Sequence, residues 1–164
     1  MQTLKFFLCF RMEPKTMRYT HKLNCIELSA IDLEIYDGIY IPGGLPSSSA
    51  IRKEREFQTK LLKLYNNPAN KDKMVMMICS GTENLLDSGL INYTKEITGS
   101  PASQWTFYSY FKNLNLPLDL FKGNSDDHPS IAYPSDGFHA HLVLGRNPTA
   151  SPWFVSLISK TWKG

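Results

Sequence analysis

The chain has 164 residues, and its 18 lysines and arginines against 15 aspartates and glutamates give a formal net charge of +3. This length favours one domain with a substantial hydrophobic core, which we take to span residues 1–164. The small and scattered positive excess argues against a nucleic-acid-binding or membrane surface, so neither partner is expected.

The three cysteines, Cys9, Cys25 and Cys79, are odd in number and form no CxxC pair. They indicate neither a disulfide framework nor a zinc knuckle, and they favour a reducing, cytoplasmic setting. The apolar segment at residues 3–10 is too short to span a bilayer and lacks a clear signal-peptide cleavage site. No metal and no cofactor are expected.

Strand-like and helix-like segments alternate along the chain. Strands are predicted at residues 4–10, 23–28, 36–41, 75–78 and 138–144, and another begins at Ile97 and Thr98. Helices are predicted from residues 47–49 to Tyr65, over residues 83–88 and from Ser151 to Trp162. Residues 116–134 read as loop, and the aromatic stretch 105–111 is left unassigned.

This alternation predicts an α/β fold, a three-layer sandwich with a mainly parallel sheet. In the first helix, Phe57, Leu61, Leu64 and Tyr65 recur at helical spacing and predict its buried stripe. Gly89 is expected to end the helix at residues 83–88.

The segment MVMMICSGTENLLDSG, residues 74–89, places Cys79 between an apolar strand and a helix. The carboxyl ends of parallel strands face the ligand crevice, and the turn Gly43-Gly44 ends a second strand there. Amide groups at the start of the following helix would favour the reactive thiolate. The N–H groups of Ser80 and Gly44 would form an oxyanion hole, as in a hydrolase nucleophile elbow. Alternatively, Cys79 is a small core residue, and the pattern leaves both interpretations open.

Three ordered motifs resemble the PfpI/ThiJ family of class I glutamine-amidotransferase-like proteins: IYIPGG, MMICSGTENLLDSGLI and LVLGRNPTAS. The resemblance covers roughly residues 36–164 and implies a flavodoxin-like sandwich. It places Cys79 at the nucleophile position and Gly43 and Gly44 near the oxyanion site. It also implies a homodimer and a small-molecule carbonyl or amide substrate. Arg146, in the third motif, either contacts an anion near the crevice or caps a surface turn.

Two departures from the family pattern bear on chemistry. The histidine that follows the elbow in the family corresponds to Ser100, and a serine cannot replace imidazole as a base at neutral pH. The glutamate of the family's first helix has no recognisable counterpart among Glu13, Glu27 and Glu34. The residues before Tyr36 are too few for the family's usual opening β-α-β unit, so this unit is expected to be reduced.

Other polar groups have two interpretations each. His139 and His141 alternate on a predicted strand, so they form either half of a metal site or two solvent-facing side chains. Glu83 and Asp87 are expected to face solvent on the helix after the elbow. Cys9 and Cys25 lie inside predicted strands, with no glycine turn or helix start behind them, which indicates structural roles.

Three hypotheses follow for function. The chain is a cysteine-dependent enzyme of glyoxalase, deglycase or amide-hydrolysing type, a redox sensor in which Cys79 is oxidised, or an inactive relative that keeps the fold for binding. A base close to Cys79 distinguishes the first hypothesis from the others. His128, His139 and His141 are the candidates for that base.

Overall fold

A computed structural model of the chain describes residues 6–8 and 27–162. Its strands form one sheet in the order β1-β2-β3-β5-β4, in which β1, β2, β3 and β5 are parallel and β4 runs antiparallel to β5. The strands are β1 (Phe6–Leu8), β2 (Gly38–Ile41), β3 (Met74–Ile78), β4 (Ser130–Tyr133) and β5 (His141–Gly145).

Helices cover both faces of this sheet. Those of the described residues are α1 (Leu45–Lys53), α2 (Arg55–Asn66), α3 (Asn84–Ser88), α4 (Gln104–Asn113) and α5 (Ser151–Thr161), and a 3₁₀ helix (Cys79–Glu83) joins β3 to α3. Helices α1 to α4 contribute to the core on one face, whereas α5 packs on the other. This arrangement confirms the predicted α/β sandwich with a mainly parallel sheet.

The alternation of side chains along each strand divides the core in two. On β3, Val75 and Met77 face the helices α1 to α4, whereas Met74, Met76 and Ile78 face α5. All five residues of β3 are buried, as expected of a parallel strand that is covered on both faces. Because β3 lies between β2 and β5, its carboxyl end opens near the middle of the sheet edge.

The helix predicted to begin at residues 47–49 is two helices. Helix α1 begins earlier, at Leu45, with Gly44 as its N-cap, so that prediction of the start was wrong. The chain turns at Glu54, where φ is −81° and ψ is 81°, and α2 follows at once. The predicted stripe of Phe57, Leu61, Leu64 and Tyr65 is buried on α2.

The second half of the chain differs most from the prediction. The unassigned aromatic stretch lies in α4, and β4 lies within the predicted loop. The expected strand at Ile97 is only an isolated bridge to Phe121. Strand β4 is short, half-buried and at the sheet edge, flanked by Pro129 and Pro134, so its sequence carries little strand signal.

The ends of several elements agree with the sequence. Gly89 ends α3 with φ at 80°, and α5 begins at Ser151 with proline in its first turn. Strand β1 falls within predicted strand 4–10, whereas Leu28, at the end of predicted strand 23–28, lies in a turn. Glu27 has no regular structure, and the other residues of those two strands, like residues 9–26 of the expected reduced opening unit, lie outside the described residues. No helix of the described chain is long and apolar enough to cross a membrane.

Candidate active site

Cys79 follows the last residue of β3 and begins the 3₁₀ helix. Its φ is 61°, in the left-handed region that non-glycine residues adopt rarely and at a cost of about 1–2 kcal/mol. The side chain is half-buried, and its thiol is free. The strand therefore ends on a sulfur that a strained turn holds at the carboxyl edge of the sheet.

The two glycine turns predicted to meet do meet at this edge. A Cβ atom on Gly43 would lie 2.4 Å from the Cys79 Cβ and 2.9 Å from its Sγ. A Cβ on Gly81 would lie 2.6 Å from the carbonyl oxygens of both Ile41 and Pro42. Only glycine permits this approach, so the turn after β2 packs directly on the turn after β3.

Hydrogen bonds fix the peptide units of the elbow. The Thr82 hydroxyl donates to the Cys79 carbonyl oxygen at 2.7 Å, and the buried Ser48 hydroxyl donates to the Ser80 carbonyl oxygen at 2.6 Å. The Cys79 carbonyl and the Ser80 N–H belong to one peptide plane, so the first bond also orients that N–H. At the first turn of a 3₁₀ helix this N–H has no carbonyl partner within the helix.

Gly44 is the N-cap of α1 and has φ at 100°, with no described atom within 4 Å of the position that a Cβ would occupy. Gly99 makes room for the Thr82 hydroxyl, because a Cβ there would lie 2.2 Å from Thr82 Oγ1. Gly43, Gly44 and Ser80 are therefore gathered around the carboxyl end of β3 next to Cys79.

A partly buried ionic network connects the elbow helix to α1 and α3. Arg52 on α1 contacts Glu83 Oε2 through Nη1 and Asp87 Oδ2 through Nε, both at 2.5 Å. The Ser103 hydroxyl donates to the other Glu83 oxygen at 2.6 Å. The expectation that Glu83 faces solvent was wrong, since the residue is only 6% exposed. Its charge is satisfied by partners that lie far away in the sequence.

Arg146 directly follows Gly145, which is in register with Ile78, so its backbone lies beside the elbow. The guanidinium Nη1 pairs with the exposed carboxylate of Asp126, and Nε is buried without a partner among the described residues. Ser100, at the position of the family histidine, caps a 3₁₀ helix by accepting a hydrogen bond from the Ala102 N–H at 3.2 Å.

The imidazoles of His139 and His141 lie at the opposite end of the sheet, since His141 is in register with Met74, the first residue of β3. His139 precedes β5, so the two histidines do not alternate on one strand. The His139 Nδ1 atom lies 2.8 Å from Asp136 Oδ2, and this hydrogen bond holds the pKa of Asp136 well below its usual range. The His141 Nδ1 atom accepts a hydrogen bond from the Ser135 N–H at 2.9 Å. Neither histidine supplies a base for Cys79.

Tyr40 is a residue near the elbow that the sequence did not single out. It packs with Cys79 against the buried cluster on the α5 face. Burial raises the pKa of Tyr40, and the negative charge of an ionised Cys79 raises it further. Tyrosine is a common strand residue, and only the register of β2 with β3 reveals which face it occupies.

The described residues contain no group of three His, Cys, Asp or Glu side chains that could hold a metal ion. The arrangement instead offers a thiol, backbone donors and a partly apolar wall. Such a set is suited to nucleophilic attack on a carbonyl group and to stabilisation of the resulting oxyanion.

The chain belongs to the DJ-1/PfpI family, because residues 15–112 match the sequence model of that family. This match confirms the PfpI/ThiJ resemblance. A comparison with curated proteins gives no match.

Solved structures share the fold, which is therefore flavodoxin-like as predicted. Schizosaccharomyces pombe DJ-1 superposes with a TM-score of 0.55 at 23% identity, over 77% of this chain and 56% of that one. Two point variants of the same protein give TM-scores of 0.55 and 0.54 at 22% identity, with the same coverage. The chain thus spans little more than half the length of these relatives.

Proposed function

We propose that the protein is a cysteine-dependent enzyme of the glyoxalase or deglycase type that acts on small reactive carbonyl compounds, with Cys79 as the nucleophile. The observation that supports it best is the left-handed backbone of Cys79 at the junction of β3 and the 3₁₀ helix, packed on Gly43. Strain of this kind persists where the surrounding structure enforces it, and it recurs at active sites.

The chemistry begins with the thiolate of Cys79. Its sulfur attacks the aldehyde carbon of a 2-oxoaldehyde, a C–S bond forms, and the carbonyl electron pair moves to oxygen. The N–H groups of Ser80 and Gly44 stabilise this oxyanion. The proton on the attacked carbon then moves to the neighbouring carbon through an enediol, which leaves a thioester.

Water hydrolyses the thioester, releases a 2-hydroxy acid and regenerates the thiol. The overall reaction adds one water molecule to the substrate, so it needs no oxidant, reductant or cofactor. Arg146 is the candidate contact for the carboxylate of the product, because its backbone adjoins the elbow and its Nε atom has no described partner. An amide substrate would use the same nucleophile and the same oxyanion donors.

Loss of methylglyoxal in the presence of purified protein tests this proposal. The Cys79→Ser variant is expected to lose all activity, since an alcohol at this site is a far weaker nucleophile than a thiolate. The matched controls Cys9→Ser and Cys25→Ser are expected to retain it. Wild-type protein without activity, or activity that survives in Cys79→Ser, would contradict the proposal.

A second candidate function is redox sensing through Cys79. The observation in its favour is that His139, His141 and Glu83 are all engaged elsewhere, so none of these three side chains is positioned as a base for the thiol. Treatment with dilute hydrogen peroxide, followed by peptide mass spectrometry, is expected to give sulfinic acid at Cys79 first. Simultaneous oxidation of all three cysteines would contradict it.

We also propose a cytoplasmic location, which derives from the cysteine usage, and a homodimer, which derives from the family resemblance. Sedimentation velocity tests the homodimer. A dimeric species at micromolar concentration is expected, and a monomer at every concentration would contradict it.

A further inference from the structure

We propose that Tyr40 is the positioning residue of the Cys79 thiol and that its hydroxyl donates a hydrogen bond to the sulfur when that sulfur is ionised. The inference builds on the proposed role of Cys79 as the reactive residue. It names a side chain that stabilises the ionised thiol, since the glutamate of the family's first helix has no recognisable counterpart in this chain.

Tyr40 lies on the α5 face of the sheet. Its neighbours Ile39 and Ile41 are buried in the core shared with helices α1 to α4, so Tyr40 points to the α5 face. The Tyr40 ring lies 6.3 Å from the Phe154 ring, centroid to centroid, with the planes inclined by 46°. The position of Phe154 therefore locates the tyrosine ring along the strand.

Phe154 lies over the carboxyl end of the sheet. A Cβ on Gly145 would lie 2.8 Å from Phe154 Cδ2 and 2.9 Å from Ile78 Cγ1. Gly145 pairs in register with Ile78, and Ile78 immediately precedes Cys79. The Tyr40 ring, beside Phe154, thus extends from its own strand towards the level at which β3 ends.

The Tyr40 hydroxyl and the Cys79 thiol belong to side chains in the same apolar surroundings. Tyr40 and Cys79 are both half-buried and pack against one apolar cluster, which consists of Met74, Met76, Ile78, Val143 and Phe154. In such surroundings a hydrogen bond to an ionised sulfur is stronger than it is in water. A phenol is a suitable donor because burial and the thiolate charge keep its pKa above the usual value, so it stays protonated at neutral pH.

Two charged residues close to the elbow have other partners. Glu83 binds Arg52 and Ser103, and Arg146 pairs with Asp126. Helix α5 carries a single charged residue, the exposed Lys160, and strands β2 and β3 carry none. Tyr40 packs against the same apolar cluster as the thiol. His128 also lies at this end of the sheet, next to Pro129, whose carbonyl oxygen accepts a hydrogen bond from the Arg146 N–H.

The pH dependence of Cys79 alkylation tests the proposal. Rates with iodoacetamide are measured site by site by mass spectrometry between about pH 5 and pH 10 in wild type and in Tyr40→Phe, which keeps the ring against Phe154. Loss of a hydrogen bond to the charged sulfur is expected to move the midpoint up by about one pH unit. The rate at neutral pH is expected to fall by up to about tenfold, whereas the plateau at high pH is preserved.

Tyr110→Phe is the matched control, since this tyrosine lies on α4 on the other face of the sheet and its profile is expected to match wild type. An unchanged midpoint in Tyr40→Phe overturns the proposal, and so does a uniform loss of rate at every pH, which would indicate packing alone. Circular dichroism melting of Tyr40→Phe verifies that the variant is folded.

The alkylation assay needs no turnover, so it separates this proposal from the proposed function. In one outcome, Tyr40→Phe leaves the pH profile of Cys79 alkylation unchanged while Cys79→Ser abolishes methylglyoxal loss. That result would support the proposed enzymatic function and refute the proposed role of Tyr40. If the midpoint shifts in a protein without activity, the role of Tyr40 stands and the enzymatic proposal fails.

Discussion

Gly43 and Cys79 are in van der Waals contact across two turns, and this contact explains why the residue after Pro42 has no side chain. A methyl group on Gly43 would lie 2.4 Å from the Cys79 Cβ, well inside contact distance. For Gly43→Ala we expect the free energy of unfolding to fall by about 1–3 kcal/mol, as in other overpacked sites. We also expect slower alkylation of Cys79 in the folded variant. Urea unfolding and site-specific labelling measure the two effects.

Gly137→Ala is the control for backbone strain without crowding. Gly137 has φ at 90° and no described atom within 4 Å of the added Cβ. We expect it to lose about 1 kcal/mol and to leave Cys79 alkylation at the wild-type rate. Equal effects of the two substitutions on labelling would refute the steric explanation.

Tyr65 gives the fold a dependence on alkaline pH. Burial raises the pKa of Tyr65 to about 12, with smaller contributions from the negative charges of Asp136, Tyr93 and Tyr133. Because the unfolded chain ionises near pH 10, it binds fewer protons than the folded chain between about pH 10 and pH 12, and stability falls over that range. Tyr65→Phe is expected to lose less stability than wild type between those pH values, measured by urea unfolding. If the stability of wild type and of Tyr65→Phe fell in parallel over this pH range, Tyr65 would not be the source of the alkaline pH dependence.

Individual residues were predictable where the chemistry is local. A small thiol residue after an apolar strand, followed by glycine, marks the elbow, and Gly43 and Gly44 mark the second turn. Glu83 was not predictable, since its partners Arg52 and Ser103 are 31 and 20 residues away. Tyr40 was missed for a related reason, because its importance depends on pairing between strands.

At the scale of elements, helix α1 is tied to the elbow by one buried hydrogen bond. The Ser48 hydroxyl donates to the Ser80 carbonyl oxygen, and Ser48 is only 2% exposed. Ser48→Ala leaves that carbonyl unpaired, so we expect a loss of about 1–3 kcal/mol in the free energy of unfolding. The neighbouring exposed Ser49→Ala is expected to change stability by less than about 0.5 kcal/mol in the same assay. Similar losses of unfolding free energy in the two variants would contradict a stabilising role of the Ser48–Ser80 hydrogen bond.

Arg52 links α1 to the 3₁₀ helix and to α3, and the two ion pairs differ in burial. The side chains of Glu83 and Asp87 are 8% and 33% exposed, although both contacts are 2.5 Å long. We expect Glu83→Gln to lower the free energy of unfolding by about 2 kcal/mol, because a buried charged hydrogen bond is lost. Asp87→Asn, the matched control, is expected to cost at most about 1 kcal/mol. Thermal or urea unfolding measures the loss of stability in both variants. A larger loss in Asp87→Asn than in Glu83→Gln would contradict this prediction.

Elements were predictable where one physical signal dominates. The continuous apolar run of β3 and the stripe of α2 were both found. Helix α4 was not assigned because its aromatic residues also suit strands, and only Phe107 and Phe111, four residues apart, are buried. Strand β4 was missed because a short edge strand between prolines has no clear alternation.

At the scale of the whole molecule, the order of strands decides which groups can react together. The parallel strands β2, β3 and β5 all end at one edge, which gathers the turns of Gly43, Cys79 and Arg146. The same order carries His139 and His141 to the other edge. The fold class was predictable from the alternation of elements, whereas the separation of Cys79 from His139 and His141 required the register.

The most direct test of the account is the alkylation rate of Cys79 in the native protein compared with the chain unfolded in urea, both at neutral pH. A sulfur presented at the sheet edge by the strained turn is expected to react at least as fast in the native protein as in the unfolded chain, and faster than Cys9 and Cys25. A Cys79 that becomes reactive only after unfolding would be a buried structural thiol, and the proposed active site would be refuted.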